Sequence, residues 1–185
     1  MATDKTDRRV RKTRALLQKS LIQLMEQKEI KDISVKELAT LADINRGTFY
    51  LHYTDIYDML HKIEDELFVE FNEILERNLE EGNPEAAANK DVLFDVFSFL
   101  ERHHDIARVM IGPHGDLAFV NGLKNLVKDR LEHLFSGSNI QDGYYYAFLV
   151  SGYVGIIETW LKSENPVPAN DMAELCSHML KIIQY

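Results

Sequence analysis

Cysteine is almost absent from this 185-residue chain, which contains it once, at Cys176. A single thiol excludes an intramolecular disulfide and any zinc site built from paired cysteines. Long apolar runs are missing too, since the longest uncharged one, residues 143–157, is too short to predict a membrane span. The first residues lack the pattern of a secretion signal, so we expect a cytoplasmic protein with no membrane partner.

Sequence patterns of catalysis are also lacking. The chain contains no glycine-rich phosphate loop and no nucleophile elbow, so we expect neither enzymatic activity nor a cofactor. His103, His104 and Asp105 follow one another and invite interpretation as a metal site. Neighbours on a helix point about 100° apart, however, and cannot share one ion. The sequence therefore predicts no metal site.

Acidic residues outnumber basic ones, giving a formal net charge of −9. Residues 1–62 nevertheless contain 12 Lys and Arg against 9 Asp and Glu, whereas residues 63–185 contain 9 against 21. This asymmetry predicts a basic head and an acidic body. Several basic residues near the start suit phosphate contact, although a solvated helix start explains them equally well. They are Arg8, Arg9, Arg11, Lys12 and Arg14.

Apolar spacing predicts four helices in the first part of the chain. Three leucines lie on one face of a first helix, in a segment without Gly or Pro that runs from residue 6 to residue 33. Ser34 and Glu37 form a capping-box pattern that begins a second helix. Asn45 begins a short third helix over about residues 46–53, and Thr54 begins a long fourth helix.

The body has helical periodicity and no strand-like alternation. Helices are predicted over residues 92–100, 106–111, 117–135 and 144–161, followed by a last helix capped by Asn170. Segment 144–161 is apolar nearly all the way round, so it must be covered on both sides. We expect it to form a four-helix dimer interface with the last helix, unless both are the ordinary core of a monomer. The predicted interface residues are Phe148, Gly152, Gly155, Ile156, Trp160, Met172, Cys176 and Met179.

Two short helices joined by a tight turn are typical of the helix-turn-helix, whose second helix enters the major groove of DNA. Phe49 and Tyr53, four residues apart, are expected to lock that helix to the core. Gly47 allows the backbone to approach DNA, and Thr48 offers a hydroxyl and a methyl group to base edges. An exposed aromatic row at this place could otherwise serve as a protein-binding patch.

Residues 35–53 resemble the DNA-binding signature of the TetR family, with the run from Arg46 to Tyr50 and His52 as the most specific part. The resemblance covers about residues 8–62. Residues 148–160 resemble a subgroup of C-terminal regions that is found in many Gram-positive regulators. The family resemblance implies a homodimer that binds double-stranded DNA. The family's groove and phosphate contacts correspond to Lys36, Arg46, Gly47, Thr48, Tyr50, Leu51 and His52.

The chain departs from the family pattern at Ile56, where many members place a phosphate-binding Lys. The basic first helix and the amide end of the helix capped by Thr54 could substitute for that contact. Many members also contain a small-molecule pocket in the body, between the middle helices here, although its candidate residues could equally be plain core. These candidates are Phe97, Arg108, Phe119 and Tyr145.

The sequence therefore predicts an all-α chain with a three-helix helix-turn-helix head and a C-terminal helical bundle. The DNA-binding domain is expected over residues 1–54, and the regulatory and dimerisation domain over residues 55–185. The predicted function is repression from a palindromic operator under control of an unknown effector. The alternative is a coactivator or regulator whose body is controlled by a protein partner instead of a small molecule.

Overall fold

The computed structural model describes the backbone of residues 2–78, 89–134 and 140–183. It describes the side chains of residues 8–78, 89–130, 144 and 147–179. Every regular element in this part of the chain is a helix, which confirms the predicted all-α class. No helix described here is both long and apolar enough to cross a membrane. The chain divides into two compact units: Met1–Asp65 with Val109–Gly115, and Glu66–Arg108 with Asp116–Tyr185.

The first unit contains α1 (Ala2–Met25), a 3-10 helix (Ile30–Asp32), α2 (Val35–Leu41), α3 (Arg46–Tyr50) and the beginning of α4 (Ile56–Asn78). The predicted long first helix is confirmed, and it ends at Met25. The buried stripe of α1 ends at Met25, and the next two residues are exposed. Because a helix gains most of its stability from packing its apolar face, the absence of Gly and Pro does not by itself extend it.

The core of the first unit lies behind α3. Helix α1 packs on α2, and α2 packs on α3. Leu17 and Leu21 of α1, Leu38 of α2 and Phe49 of α3 have no exposed surface. The short α3 is therefore held by tertiary packing, since five residues are too few for an independently stable helix.

The second unit contains the rest of α4, then α5 (Lys90–Arg102), most of α6 (His104–Met110), α7 (Leu117–Leu134), α8 (Ile140–Leu161) and α9 (Ala169–Ile183). The predicted break between two helices near residue 103 is confirmed. Helix α5 packs along α9, and α7 packs along α8.

Trp160 anchors α8 in the core of the second unit. Its ring meets Phe97 of α5 edge-on at 5.5 Å, and its Nε1 donates a hydrogen bond to the carbonyl oxygen of Val167 at 2.7 Å. The indole is thus buried with its polar group satisfied, as buried Trp requires. This contact fixes the end of α8 and the loop that leads to α9.

Gly115 closes the turn that follows α6. A Cβ atom at this position would lie 1.9 Å from the carbonyl oxygen of Met110. No other residue fits there without a shift of the backbone. The turn from Gly112 to Gly115 therefore depends on its last glycine.

Candidate nucleic-acid interface

Helix α2 begins at the predicted cap, but the capping box is only half formed. The Ser34 hydroxyl accepts a hydrogen bond from Glu37 N at 3.2 Å. The Glu37 carboxylate does not reach back to Ser34; instead, both of its oxygens accept hydrogen bonds from Lys28 Nζ at 2.6 Å. This ion pair ties the segment after α1 to the first turn of α2.

A Schellman turn connects α2 to α3. Ile44 N donates to the carbonyl oxygen of Ala39 at 3.0 Å, and Asp43 N donates to that of Thr40 at 3.2 Å. Asp43 has a φ of 52°, in the left-handed region where this motif usually has glycine. Aspartate tolerates that conformation better than most residues. The turn sets the angle at which α3 leaves α2.

Helix α3 starts where the sequence predicts and ends earlier. Asn45 Oδ1 accepts a hydrogen bond from Gly47 N at 2.8 Å, which confirms the predicted cap. Regular helix ends at Tyr50 rather than near residue 53. The chain then closes a last turn in which Tyr53 N donates to the carbonyl oxygen of Phe49 at 3.0 Å.

The inner and outer sides of α3 differ sharply. Phe49 and Tyr53 are buried, as their spacing predicts, and their ring centroids lie 5.6 Å apart. On the outer side Tyr50 is 53% exposed and Leu51 is 80% exposed. Large exposed side chains on a small, well-anchored helix are typical of a surface that binds a partner.

Gly47 is exposed on this outer surface. The nearest atom to an added Cβ would be its own capping group, Asn45 Oδ1, at 3.3 Å. An added Cβ would therefore press on the capping oxygen, which would have to shift by a few tenths of an ångström. The lack of a side chain at this exposed position also allows a partner to approach the backbone closely. The other four predicted contacts comprise the exposed Lys36 and Arg46 and the half-buried Thr48 and His52.

The start of α4 does not have the predicted cap. The Asp55 carboxylate accepts a hydrogen bond from Asp58 N, and the Asp58 carboxylate accepts one from Thr54 N, both at 2.8 Å. The Thr54 cap is wrong because the carboxylate of the next residue, Asp55, occupies the capping position. Hydrogen bonds from Thr54 and Lys62 hold the pKa of Asp58 below its ordinary value. Two carboxylates at this end disfavour the phosphate that the sequence suggested there.

Two basic side chains contact the residues just after α3. Arg14 Nε donates to the Tyr53 hydroxyl at 3.2 Å. Lys62 Nζ donates to the His52 carbonyl oxygen at 3.3 Å and to Asp58 Oδ2 at 3.0 Å, and it lies 5.5 Å from the Tyr53 ring centroid. Sequence reasoning did not select Lys62, although its four-residue spacing from Asp58 is a readable signal.

The predicted dimer face is exposed in part. Phe148 is 60% exposed and Met179 is 41% exposed, while Ile156 is half-buried. An added Cβ at Gly152 or Gly155 would meet no atom within 4 Å. One side of α8 is thus apolar and open in the single chain.

Three other predicted interface residues lie in the core of their own unit. Trp160, Met172 and Cys176 are at most 5% exposed. Burial also raises the pKa of the Cys176 thiol to about 11. These side chains have almost no surface with which to contact a second copy, so they can only support the exposed residues from behind.

The predicted ligand residues do not share one environment. Phe97 is fully buried against Trp160, Arg108 is exposed, and Phe119 is half-buried. The side chain of Tyr145 lies outside the described residues. Phe97 therefore fills core in this structure.

The adjacent histidines face different neighbours. His103 Nε2 lies 2.8 Å from Glu70 Oε2, and Arg102 donates to the other oxygen of Glu70 at 2.6 Å. His104 instead meets the Trp160 ring edge-on at 6.2 Å. Among the residues that the structure describes, no three His, Cys, Asp or Glu side chains are grouped to hold a metal ion.

Residues 88–182 match the family model TetR_C_8, described as a transcriptional regulator C-terminal region. A TetR transcriptional regulator from Streptococcus agalactiae 2603V is 19% identical, with 97% of this chain and 99% of that chain covered and a TM-score of 0.59. A transcriptional regulator from Aquifex aeolicus VF5 is 17% identical, with 92% and 99% covered and a TM-score of 0.64. The dihydroxyacetone kinase operon activator DhaS is 15% identical, with 92% and 95% covered and a TM-score of 0.59. No curated protein sequence matches the chain significantly.

Proposed function

The chain belongs to the TetR family of transcriptional regulators, and we propose that it acts as a homodimeric repressor that binds a palindromic operator. The observation that carries the proposal is the outer side of α3, where Tyr50 and Leu51 are exposed while Phe49 and Tyr53 are buried behind them. Helix-turn-helix proteins present their recognition helix to the major groove in this way. We assign DNA binding to residues 1–54 and regulation with dimerisation to residues 55–185.

In this proposal the small and apolar residues of α3 and of the turn after it contact the DNA bases. The lack of a side chain at the exposed Gly47 lets the backbone come close to the groove. Thr48 offers a hydroxyl and a methyl group to base edges, and Leu51 suits the methyl group of thymine. Phosphate contacts fall to the residues with basic or hydrogen-bonding side chains. These are Lys36, Arg46, Tyr50 and His52.

Helix α1 supplies further phosphate contacts in this proposal. Arg8, Arg9, Arg11 and Lys12 are all exposed near its start. Their share of phosphate binding is larger in this proposal because Asp55 and Asp58 make the start of α4 unfavourable for an anion. Each phosphate contact contributes a salt-dependent share of the affinity for DNA.

Dimerisation through the open side of α8 completes the proposed DNA-binding form. A twofold axis there uses the same patch of each copy, and Gly152 and Gly155 allow the two helices to approach closely. The dimer places two recognition helices about 34 Å apart, in successive major grooves. An effector weakens DNA binding to the extent that it prefers the state in which that separation is wrong.

Activation is the second candidate output. A chain of the same fold, DhaS, is described as an operon activator, and the acidic body suits control by a protein partner. A reporter gene whose operator overlaps the promoter, compared with one whose operator lies upstream, separates repression from activation. Co-purification of a stoichiometric protein favours a protein partner, whereas a retained small molecule favours an effector pocket.

Substitutions on the outer side of α3 test DNA binding directly. A duplex recovered by the wild-type protein from a random pool serves as the probe. We expect Thr48→Ala and Tyr50→Ala each to weaken binding to this duplex by about 1–3 kcal/mol, measured by fluorescence anisotropy. Leu117→Ala, at an exposed position of α7, serves as the control and keeps wild-type affinity. Wild-type affinity in both α3 variants contradicts the proposal.

A further inference from the structure

The carbonyl end of α3 has a cationic partner on another helix. The last carbonyl groups of a helix and of its closing turn lack amide donors from the helix itself and form the negative end of its dipole. Lys62 of α4 donates to one of them, the carbonyl oxygen of His52, at 3.3 Å. A short helix with few internal hydrogen bonds gains orientation from such an external contact.

The same ammonium group also holds the aromatic anchor of α3. Lys62 Nζ lies 5.5 Å from the centroid of the Tyr53 ring, within the range of a cation–π interaction. Arg14 of α1 donates to the hydroxyl of that ring at 3.2 Å, and Phe49 packs beside it. Tyr53 is thus held by α1 and α4 at once, and the contact with α4 includes a cation.

Asp58 holds Lys62 in this position. Its Oδ2 atom accepts hydrogen bonds from Lys62 Nζ at 3.0 Å and from Thr54 N at 2.8 Å. Hydrogen bonds therefore link the first turns of α4 to the residues just after α3. They run from Thr54 to Asp58, from Lys62 to Asp58 and from Lys62 to His52. Without the Lys62 ammonium, no described side chain of α4 donates to the His52 carbonyl oxygen.

These contacts favour an indirect role in DNA binding over a phosphate contact. An ammonium group has three N–H donors, and here a carboxylate and a carbonyl oxygen occupy two of them. The carboxylate of Asp58 also offsets the charge that would attract a phosphate. A phosphate could take Lys62 only in competition with contacts that hold α3.

We propose that Lys62 is a positioning residue that sets the orientation of α3, and through it the sequence selectivity of DNA binding. The proposal rests on the proposed function, because it takes α3 as the helix that reads DNA. It assigns to Lys62 a contribution to the preference for one duplex over another, separate from the overall attraction for phosphates.

The test compares Lys62→Met and Lys62→Arg with the wild-type protein in full-length form. Affinity is measured over a series of salt concentrations, for the duplex selected by the wild type and for an unrelated duplex of equal length. We expect Lys62→Met to bind the selected duplex about tenfold more weakly, with an unchanged salt slope and little change on the unrelated duplex. Lys62→Arg, which keeps a cationic donor, restores most of the selectivity.

Two matched lysine variants calibrate this result. Lys36→Met removes a proposed phosphate contact, so it is expected to weaken binding to both duplexes and lower the salt slope by about 0.9. Lys31→Met removes an exposed lysine paired with Glu29 and is expected to change neither quantity. If Lys62→Met behaves like Lys36→Met, Lys62 contacts phosphate and the positioning role is overturned.

Amide hydrogen exchange of DNA-free protein gives a second readout. We expect faster exchange of the amides from Thr48 to Tyr53 in Lys62→Met than in the wild type, with the amides of α2 unchanged. Equal exchange together with equal selectivity overturns the proposal while leaving DNA binding intact. If the wild type selects no duplex at all, the proposed function fails and the selectivity assigned to Lys62 fails with it, whatever the exchange rates show.

Discussion

Asp43 has a backbone conformation that side chains with a Cβ atom disfavour. Its φ of 52° costs about 1–2 kcal/mol for an ordinary residue, and less for aspartate. We expect Asp43→Gly to raise the free energy of unfolding by about 0.5–1 kcal/mol, because relief of this strain exceeds the added freedom of the unfolded chain. Urea denaturation followed by circular dichroism measures the change.

Asp43→Val provides the matched comparison. A β-branched side chain fits the left-handed region worst, so we expect this variant to lose more than about 1 kcal/mol. If the glycine and valine variants unfold at the same urea concentration, the turn between α2 and α3 is not strained at this residue.

Single contacts differ in how well the sequence predicts them. The caps at Ser34 and Asn45 were predictable because donor and acceptor lie within three residues of each other. The Thr54 prediction failed where two neighbouring side chains compete for one capping position and the carboxylate of Asp55 takes it. The hydrogen bond from Arg14 to Tyr53 spans 39 residues, and no local pattern encodes such a contact.

Helices α4 and α5 are joined in the second unit by the carboxylate of Glu70. Partial burial of Glu70 opposes its ionisation, but hydrogen bonds from Arg102 and His103 outweigh that effect and hold its pKa below the ordinary 4.5. A carboxylate whose pKa is lower in the folded protein than in the unfolded chain adds stability at pH values above its unfolded-state pKa. That contribution is lost as the pH falls through the folded value.

Replacement of this carboxylate predicts a change in acid sensitivity. We expect Glu70→Gln to be less stable than the wild type near neutral pH and to lose less stability between about pH 5 and pH 3. Urea denaturation at a series of pH values measures the difference. Glu73→Gln, an exposed change on the same helix, is expected to follow the wild-type profile. Parallel profiles for Glu70→Gln and the wild type contradict a stabilising role for the contacts of Glu70 with Arg102 and His103.

Helix boundaries were predictable where polarity changes and less so elsewhere. The sequence does not fix the end of α1, because residues 26–33 contain no Gly or Pro and only the end of the buried stripe at Met25 marks it. The all-round apolar character of α8 predicted a helix, which is confirmed, whereas its cover on both sides stays a prediction. Periodicity alone could not divide its residues between the core and a partner, because both environments select apolar side chains. Trp160 belongs to the core because Phe97 of α5 packs against it.

At the scale of the whole molecule, the open side of α8 predicts the assembly state. We expect Phe148→Asp to turn the proposed dimer into a monomer that keeps its helical circular dichroism, because a buried carboxylate without a partner is unfavourable in an interface. Sedimentation equilibrium measures the molecular mass. Leu117→Asp, at a position that is 78% exposed on α7, should remain dimeric. A Phe148→Asp dimer of wild-type stability would place the contact between copies on another surface.

The open apolar side of α8 also has a consequence for how the regulator responds to its own abundance. If only a second copy covers that side, the amount of DNA-competent species follows mass action and rises with the square of the subunit concentration when subunits are scarce. Occupancy of the operator then depends more steeply on expression level than it would for a monomer. A modest change in synthesis or degradation of the chain would therefore act as a regulatory input, with no effector present.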